Sequence, residues 1–405
     1  MPTTLFSFLG KVTNPGAPKR YRNANYVFPD GSREQTEYLG TALAHNLDTD
    51  TLVILGTSGS MWDVLVETLF SGEGHEQERL TLMEAADNDA VTQDQLETVQ
   101  PIISEGAGRE VRLQLIPYGR DTREQLDILD CMARHVPDDQ VTIAIDITHG
   151  LRYMPMLSML SAEYLKTVRG VQLKGLYYGA YELMDGDEVS VLELNGLSQL
   201  AEWLTAIRNY DKDGDYGVFV PLLRREGLPE DRVRCLEDAA YYERVLNLGA
   251  AQQKLNTFLP ALDAPLQGPA GLFAGPLRER LAWAHENDRG NQQWRQAELH
   301  RERGDFARAA LFGTEAFISS LIPKDGKVAD SRERDKYKEE FKNKKNKSKR
   351  EAEQLEAFRE IGAIRNSVAH GTRPNKNQRN AVKALGDPEQ LRARLGELFK
   401  VLQSR

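Results

Sequence analysis

Val141–Gly150 reads VTIAIDITHG. A run of β-formers ends in Asp146, and a polar turn of Thr148, His149 and Gly150 follows. Leu151–Val168, LRYMPMLSMLSAEYLKTV, then repeats apolar residues at helical spacing. Strand, polar turn and helix form the unit by which an α/β sheet presents a ligand at the carboxyl end of a strand. The first half of the chain repeats this unit. Thr4–Val12 reads as a strand ending in Gly10 and Lys11. Leu52–Leu55 reads as a buried parallel strand that breaks into Gly56-Thr57-Ser58-Gly59-Ser60 before a helix from Met61 to Phe70. Arg112–Pro117 and Val171–Gly179 supply further strands, Glu188–Leu194 pairs with the latter, and Thr122–Arg134 is a helix. Ser32–Asn46 is expected to be a helix with Ser32 as its N-cap. Asn14–Arg20 reads as a Pro/Gly-rich loop and Gly72–Arg109 as an acidic excursion from the sheet. The expectation is a doubly wound, Rossmann-like α/β domain over residues 1–195.

Beyond it, strand signals nearly vanish. Leu197–Tyr210 is an amphipathic helix, and further helices are expected at Leu277–Glu286, Asn291–Arg303, Phe306–Leu321, Glu351–Ala369 and Pro388–Leu402. The Gly/Pro-rich stretch Gly268–Pro276 reads as a joint. It leaves 196–270 as a helical connecting region and 271–405 as an all-α domain. Inside the latter, Ser331–Arg350 carries ten Lys/Arg against four Asp/Glu, a local +6 in a chain of net charge −9. Two readings fit this run: a solvated face, or a phosphate-attracting segment built on Lys342, Lys344, Lys345, Lys347 and Lys349.

An overall charge of −9 argues against a general polyanion coat, and 40% hydrophobic with 28% charged residues fits a globular chain. Cys131 and Cys235 stand apart in helix-like contexts, so neither a disulfide framework nor a metal cluster is expected. No apolar run approaches the roughly 18 residues of a membrane helix, and the N-terminus lacks a signal-peptide pattern. The chain is therefore read as cytoplasmic, with no membrane partner.

Two constellations carry chemistry. The strand ends Gly10-Lys11, Gly56–Ser60 and Asp146–Gly150 meet at one rim of a doubly wound sheet. Loop and helix-start N–H groups there suit anionic oxygens, with Lys11 and Arg152 adding charge. Neither a Walker A loop nor GxGxxG is present. His149 is equally compatible with a local helix cap. The second constellation is Ile364–Gly371, IRNSVAHG. Arg365 and His370 are five residues apart, about 140° around a helix, so they do not stack within one chain. RNA carries its own nucleophile, the ribose 2′-OH. Cleavage at that group needs a proton mover near neutral pH and a cation beside the phosphorane, and requires no metal. A surface Arg with a dipole-favouring His at a helix end is the alternative.

Together the two motifs resemble the CARF–HEPN ancillary ribonucleases of type III CRISPR systems. Asp146-Ile147-Thr148-His149-Gly150 matches their DxTHG signature, and Arg365–His370, with Asn366 after the Arg, is similar to the R-x4-6-H motif of HEPN ribonucleases. The resemblance spans essentially the whole chain. It implies a CARF domain that binds a cyclic oligoadenylate made by the type III complex, with two domains pairing across a two-fold axis. The DxTHG form points to cyclic tetra-adenylate, with cyclic hexa-adenylate as runner-up. Activator contacts would come from Gly10, Lys11, Thr57, Ser58, Gly59, Ser60, Asp146, Thr148, His149, Gly150 and Arg152. It also implies a HEPN domain whose two copies bring Arg365, Asn366 and His370 into one composite site in a homodimer. That site would cut single-stranded RNA to 2′,3′-cyclic phosphate ends. Some CARF domains also degrade their activator, a role in which Thr57, Ser58 and His149 would position a 2′-OH. A non-catalytic sensor or a CARF-linked regulator is the rival class.

Overall fold

The computed structural model describes residues 2–12, 20–69, 75–136, 141–323, 330–372 and 379–404. Most of the Asn14–Arg20 loop, Gly72 and Pro374 fall outside these residues. The chain divides into two compact units, Met1–Ser198 and Gln199–Arg405.

The first unit is built on one eight-stranded sheet: β1 (Thr3–Leu9), β2 (Ala24–Val27), β3 (Arg33–Thr36), β4 (Thr51–Gly56), β5 (Glu110–Leu115), β6 (Thr142–Asp146), β7 (Gln172–Gly179) and β8 (Glu188–Glu193). Their order is β3-β2-β8-β7-β6-β1-β4-β5. β5, β4, β1, β6 and β7 run parallel, and β8 returns antiparallel to β7. From β1 the chain moves outward to β4 and β5, then back to β6 on the other side. The topological switch point therefore lies between β1 and β6, where open α/β sheets hold ligands beyond the carboxyl ends. Both sheet faces are covered, as a parallel sheet demands. On β1 and β4, Leu5, Leu9, Leu52 and Ile54 point into one core, and Phe6, Phe8, Val53 and Leu55 into the other.

Two expectations need correction. Ser32–Asn46 is not one helix: Arg33–Thr36 pairs antiparallel with Ala24–Val27 as an edge hairpin, and the helix is confined to Leu39–Asn46. Ser32 Oγ donates to Asp30 Oδ1 at 2.7 Å, so it closes the hairpin turn rather than capping a helix. Polar REQT lacks strand propensity; its ladder to β2 overrides that weak preference. The described part of the Gly72–Arg109 segment adds no strand to the sheet, as read, but it packs back onto the sheet instead of leaving it. Its helices Glu76–Asp87 and Gln93–Ala107 bury Leu82, Ala86, Leu96, Val99 and Ile103 in the same core as Leu5 and Trp62. A Thr92–Gln95 capping box starts the second helix.

Among the described residues, every long element of the second unit is a helix. One core runs from Trp203 to Leu402, so the helices before and after residue 270 share their packing. The expected joint at Gly268–Pro276 largely falls within helix Ala270–Arg280, which accommodates Pro276. The lysine-rich stretch forms helix Ser331–Asn343 and the start of Lys349–His370, which opens on a Ser348–Glu351 capping box. Gly371, at φ 62°, ends that helix and donates to Ser367 O.

Candidate functional site

Register fixes the heart of the strand-end site. Ser7 and Asp146 are partners on adjacent parallel strands, so their side chains share a face. Ser7 Oγ donates to Asp146 Oδ2 at 2.7 Å, and Thr148 N donates to Oδ1 at 2.9 Å. The Tyr38 hydroxyl lies 2.7 Å from Ser7 Oγ. Burial raises the Asp146 carboxyl above its ordinary value, against the hydrogen bonds from Thr148 and Ser7. Asp146 is thus an internal tie that folds the turn after β6. Thr148 continues it: its Oγ1 accepts from Gly179 N at 2.8 Å, joining the turn to the end of β7.

His149 faces inward. Its ring stacks 3.9 Å from Tyr21 and 5.4 Å from Tyr38, and it is 8% exposed. Leu39 N, at the start of helix Leu39–Asn46, lies 3.5 Å from Nε2, which leaves the ring proton on Nδ1. Burial lowers its pKa to about 3, so the imidazole is neutral. The histidine of the motif therefore receives a helix N-terminus and wedges the turn against two tyrosines. Tyr21 completes the wedge by accepting from Gly10 N at 2.7 Å.

The turn comes close to β1. A Cβ on Gly10 would lie 2.9 Å from Gly150 N, so only glycine permits this approach. On one side of the turn lies a cavity of about 370 Å³ whose walls include Gly10, Lys11, Thr57, Gly59, Ser60 and Gly150. On the other side, Thr148, His149, Gly150 and Arg152 border a second hollow with Tyr178. Both hollows share Gly150 and Leu151. Within the first, Ser60 is committed to the scaffold: its Oγ donates to Leu9 O at 2.7 Å and accepts from Thr57 N at 2.9 Å. Ser58 O accepts from Val91 N at 3.2 Å. Lys11 is exposed and lies 3.5 Å from Asp89.

The structure brings the three strand ends together, as the sequence implied. Four contributors had no motif to reveal them: Tyr21 and Tyr38 beside His149, and Asp89 and Tyr118 in the wall of the first cavity. Asp89 lies in the segment read as an excursion, and Tyr38 in the stretch read as helix. Among the described residues, no group of three or more His, Cys, Asp and Glu side chains is placed to hold a metal ion. No helix among them is long and apolar enough to cross a membrane.

In the second unit, Arg365, Asn366 and His370 sit in the last turns of helix Lys349–His370. Arg365 Nη2 donates to Asn366 Oδ1 at 2.9 Å, which steers the guanidinium along the exposed face. His370 is exposed at the helix end. The five lysines divide. Lys347 Nζ donates to Lys342 O at 2.9 Å and Lys344 O at 2.6 Å, closing the end of helix Ser331–Asn343. Lys342 and Lys344 pair with Glu339 and Glu351. Lys345 and Lys349 are exposed.

Residues 4–182 match the family described as CRISPR system endoribonuclease Csx1, CARF domain. The crevice between β1 and β6 is therefore that of a CARF domain. CRISPR-associated protein MJ1674 of Methanocaldococcus jannaschii is 24% identical over 271 residues, 62% of this chain. The match spans 42% of that protein's length. Both matches support a CRISPR-associated CARF protein.

Proposed function

We propose that this chain is a type III CRISPR ancillary effector, an endoribonuclease switched on by a cyclic oligoadenylate. The observation that carries the reading is the pairing of a CARF crevice with a helix ending in Arg365, Asn366 and His370. Cyclic tetra-adenylate is the favoured activator. Its phosphates would lie against Lys11, Arg152 and the loops at Thr57–Ser60 and Gly150, while Asp146, Thr148 and His149 hold the floor in shape.

A homodimer is the expected assembly. Helix Met154–Arg169 leaves Met156 70% and Leu160 66% exposed, with Tyr164 and Val168 continuing the row at four-residue spacing. An apolar stripe of this kind supports a self-complementary interface. In the second unit, Arg365 and His370 diverge around their helix, so a composite site from two copies supplies the geometry one chain lacks. There His370 would move the proton of the 2′-OH or the leaving oxygen, and Arg365 would stabilise the phosphorane. The 2′-OH attack needs no metal and leaves a 2′,3′-cyclic phosphate. Activator binding would shift the population of competent pairs.

Two measurements test this together. Calorimetric titration with cyclic tetra-adenylate and cyclic hexa-adenylate should give one ring per two chains. RNA incubated with the activator in EDTA should yield 2′,3′-cyclic phosphate ends. Binding without cleavage would instead make the protein a sensor.

A further inference from the structure

The lysine-rich run borders an open groove of about 540 Å³, lined by Leu321, Tyr337, Glu340, Phe341, Asn343 and Lys344. Tyr337 and Phe341 are four residues apart on helix Ser331–Asn343, so both rings stand on one face of it. Both are half-buried. Phe341 is anchored from below: its ring meets Phe317 edge-on at 5.2 Å, and Phe317 lies 5.2 Å from Phe358. Each groove ring also has an ammonium beside it. Lys336 Nζ is 5.2 Å from the Tyr337 centroid and Lys347 Nζ 6.0 Å from that of Phe341.

The rim and the floor of this groove favour different groups. Lys338, Lys342 and Lys344 are paired with Asp335, Glu339 and Glu351. The charges left facing solvent include Lys336, Lys345, Lys349 and Arg350. A phosphate is therefore favoured on the rim. Inside the groove Glu340 opposes it, and the two rings offer a flat apolar surface. A planar base has the reverse preference. An acidic peptide would match the rim, but it brings no regular series of flat rings for the floor. Lys344 Nζ donates to Glu351 Oε1 at 2.5 Å, which ties the edge of the groove to the first turn of helix Lys349–His370. His370 ends that helix, about 28 Å further on. The groove thus stands well away from the Arg365–His370 site of its own chain.

We propose that this groove stacks a base of single-stranded RNA on Tyr337 and Phe341, while Lys336, Lys345, Lys349 and Arg350 hold the flanking phosphates. It captures the strand away from the point of cleavage. Proteins that hold single strands without sequence preference join a charged track to aromatic platforms in this way. The inference rests on the ribonuclease reading, and its test separates the two.

Binding is measured by fluorescence anisotropy in a His370→Ala background, with a labelled single-stranded RNA and a matched strand that lacks bases. The RNA should bind at least fivefold tighter than the abasic strand. Tyr337→Leu should remove that preference with the thermal midpoint in place, and Tyr337→Phe, which keeps the ring, should retain it. Equal affinity for the two strands, or a preference that survives Tyr337→Leu, overturns the proposal. So does an acidic peptide whose binding depends on Tyr337 as strongly as that of RNA. With His370 intact and cyclic tetra-adenylate present, Tyr337→Leu should raise KM for RNA at least threefold and leave kcat in place; a loss confined to kcat overturns capture. RNA that binds with the base preference but is never cut leaves the groove standing and sinks the ribonuclease reading.

Discussion

Acidification should loosen the strand-end site through His149. Burial lowers this imidazole from 6.5 to about 3. The folded chain thus refuses a proton that the unfolded chain accepts below pH 6.5. Stability from neutral His149 is complete above that pH and drains away as pH falls toward 3. The gap caps the contribution near 5 kcal/mol, and at about pH 5 about 2 kcal/mol should already be lost. Burial also lowers His135 and His300, so the comparison must isolate one ring. His149→Phe keeps an aromatic ring against Tyr21 and Tyr38 but cannot titrate. Urea unfolding of wild type and His149→Phe at about pH 7.5 and pH 5 should show the wild type losing about 2 kcal/mol more. Equal losses, or a His149 ring that titrates between pH 6 and 7 by NMR, would refute the buried wedge.

Gly10→Ala drives a methyl against the Gly150 backbone and should weaken cyclic tetra-adenylate more than tenfold, at a stability cost of about 1–3 kcal/mol. Gly59→Ala meets the exposed Asp89 carboxylate and the Tyr118 hydroxyl, side-chain ends that can swing aside, so calorimetry should rank it the milder change. Ser60→Ala strands Thr57 N and Leu9 O and should cost about 1–3 kcal/mol in denaturant titration; a smaller loss would mean the strand ends are held otherwise. Lys345→Ala and Lys349→Ala should each reduce the salt dependence of RNA binding by about one ion while leaving the thermal midpoint in place. Lys347→Ala, which opens a helix end, should lower that midpoint; the reverse pattern would move RNA capture to the closing lysine.

Much of the sheet could be read in the chain because buried parallel strands are written as unbroken apolar runs. Leu52–Leu55 and Val141–Ile147 carried that signal plainly, and the polar breaks after them located the crevice. Arg33–Thr36 was hidden because a short polar strand at the sheet edge carries no apolar run. Gln93–Ala107 was hidden for another reason. Its acidic outer face dominates the composition, while the buried row of Leu96, Val99 and Ile103 is sparse. In the site, motif residues were visible but their work was not. Asp146 and His149 look like ligands in a list of polar residues. Only the register with Ser7, and the stacking on Tyr21 and Tyr38, turns them into the frame. Tyrosines that arrive from distant sequence leave no local trace. The Arg365–His370 pair was legible as a motif, and its divergence around one helix was legible as geometry.

The central claim is that a ligand held in the first unit governs RNA cleavage in the second. The direct measurement is the initial rate of labelled-RNA cleavage in EDTA, with and without cyclic tetra-adenylate, for wild type and His370→Ala. The account predicts a rate that rises at least a hundredfold with activator in the wild type and stays at background in the variant. Equal rates with and without every cyclic oligoadenylate tried, or cleavage that survives His370→Ala, would contradict it.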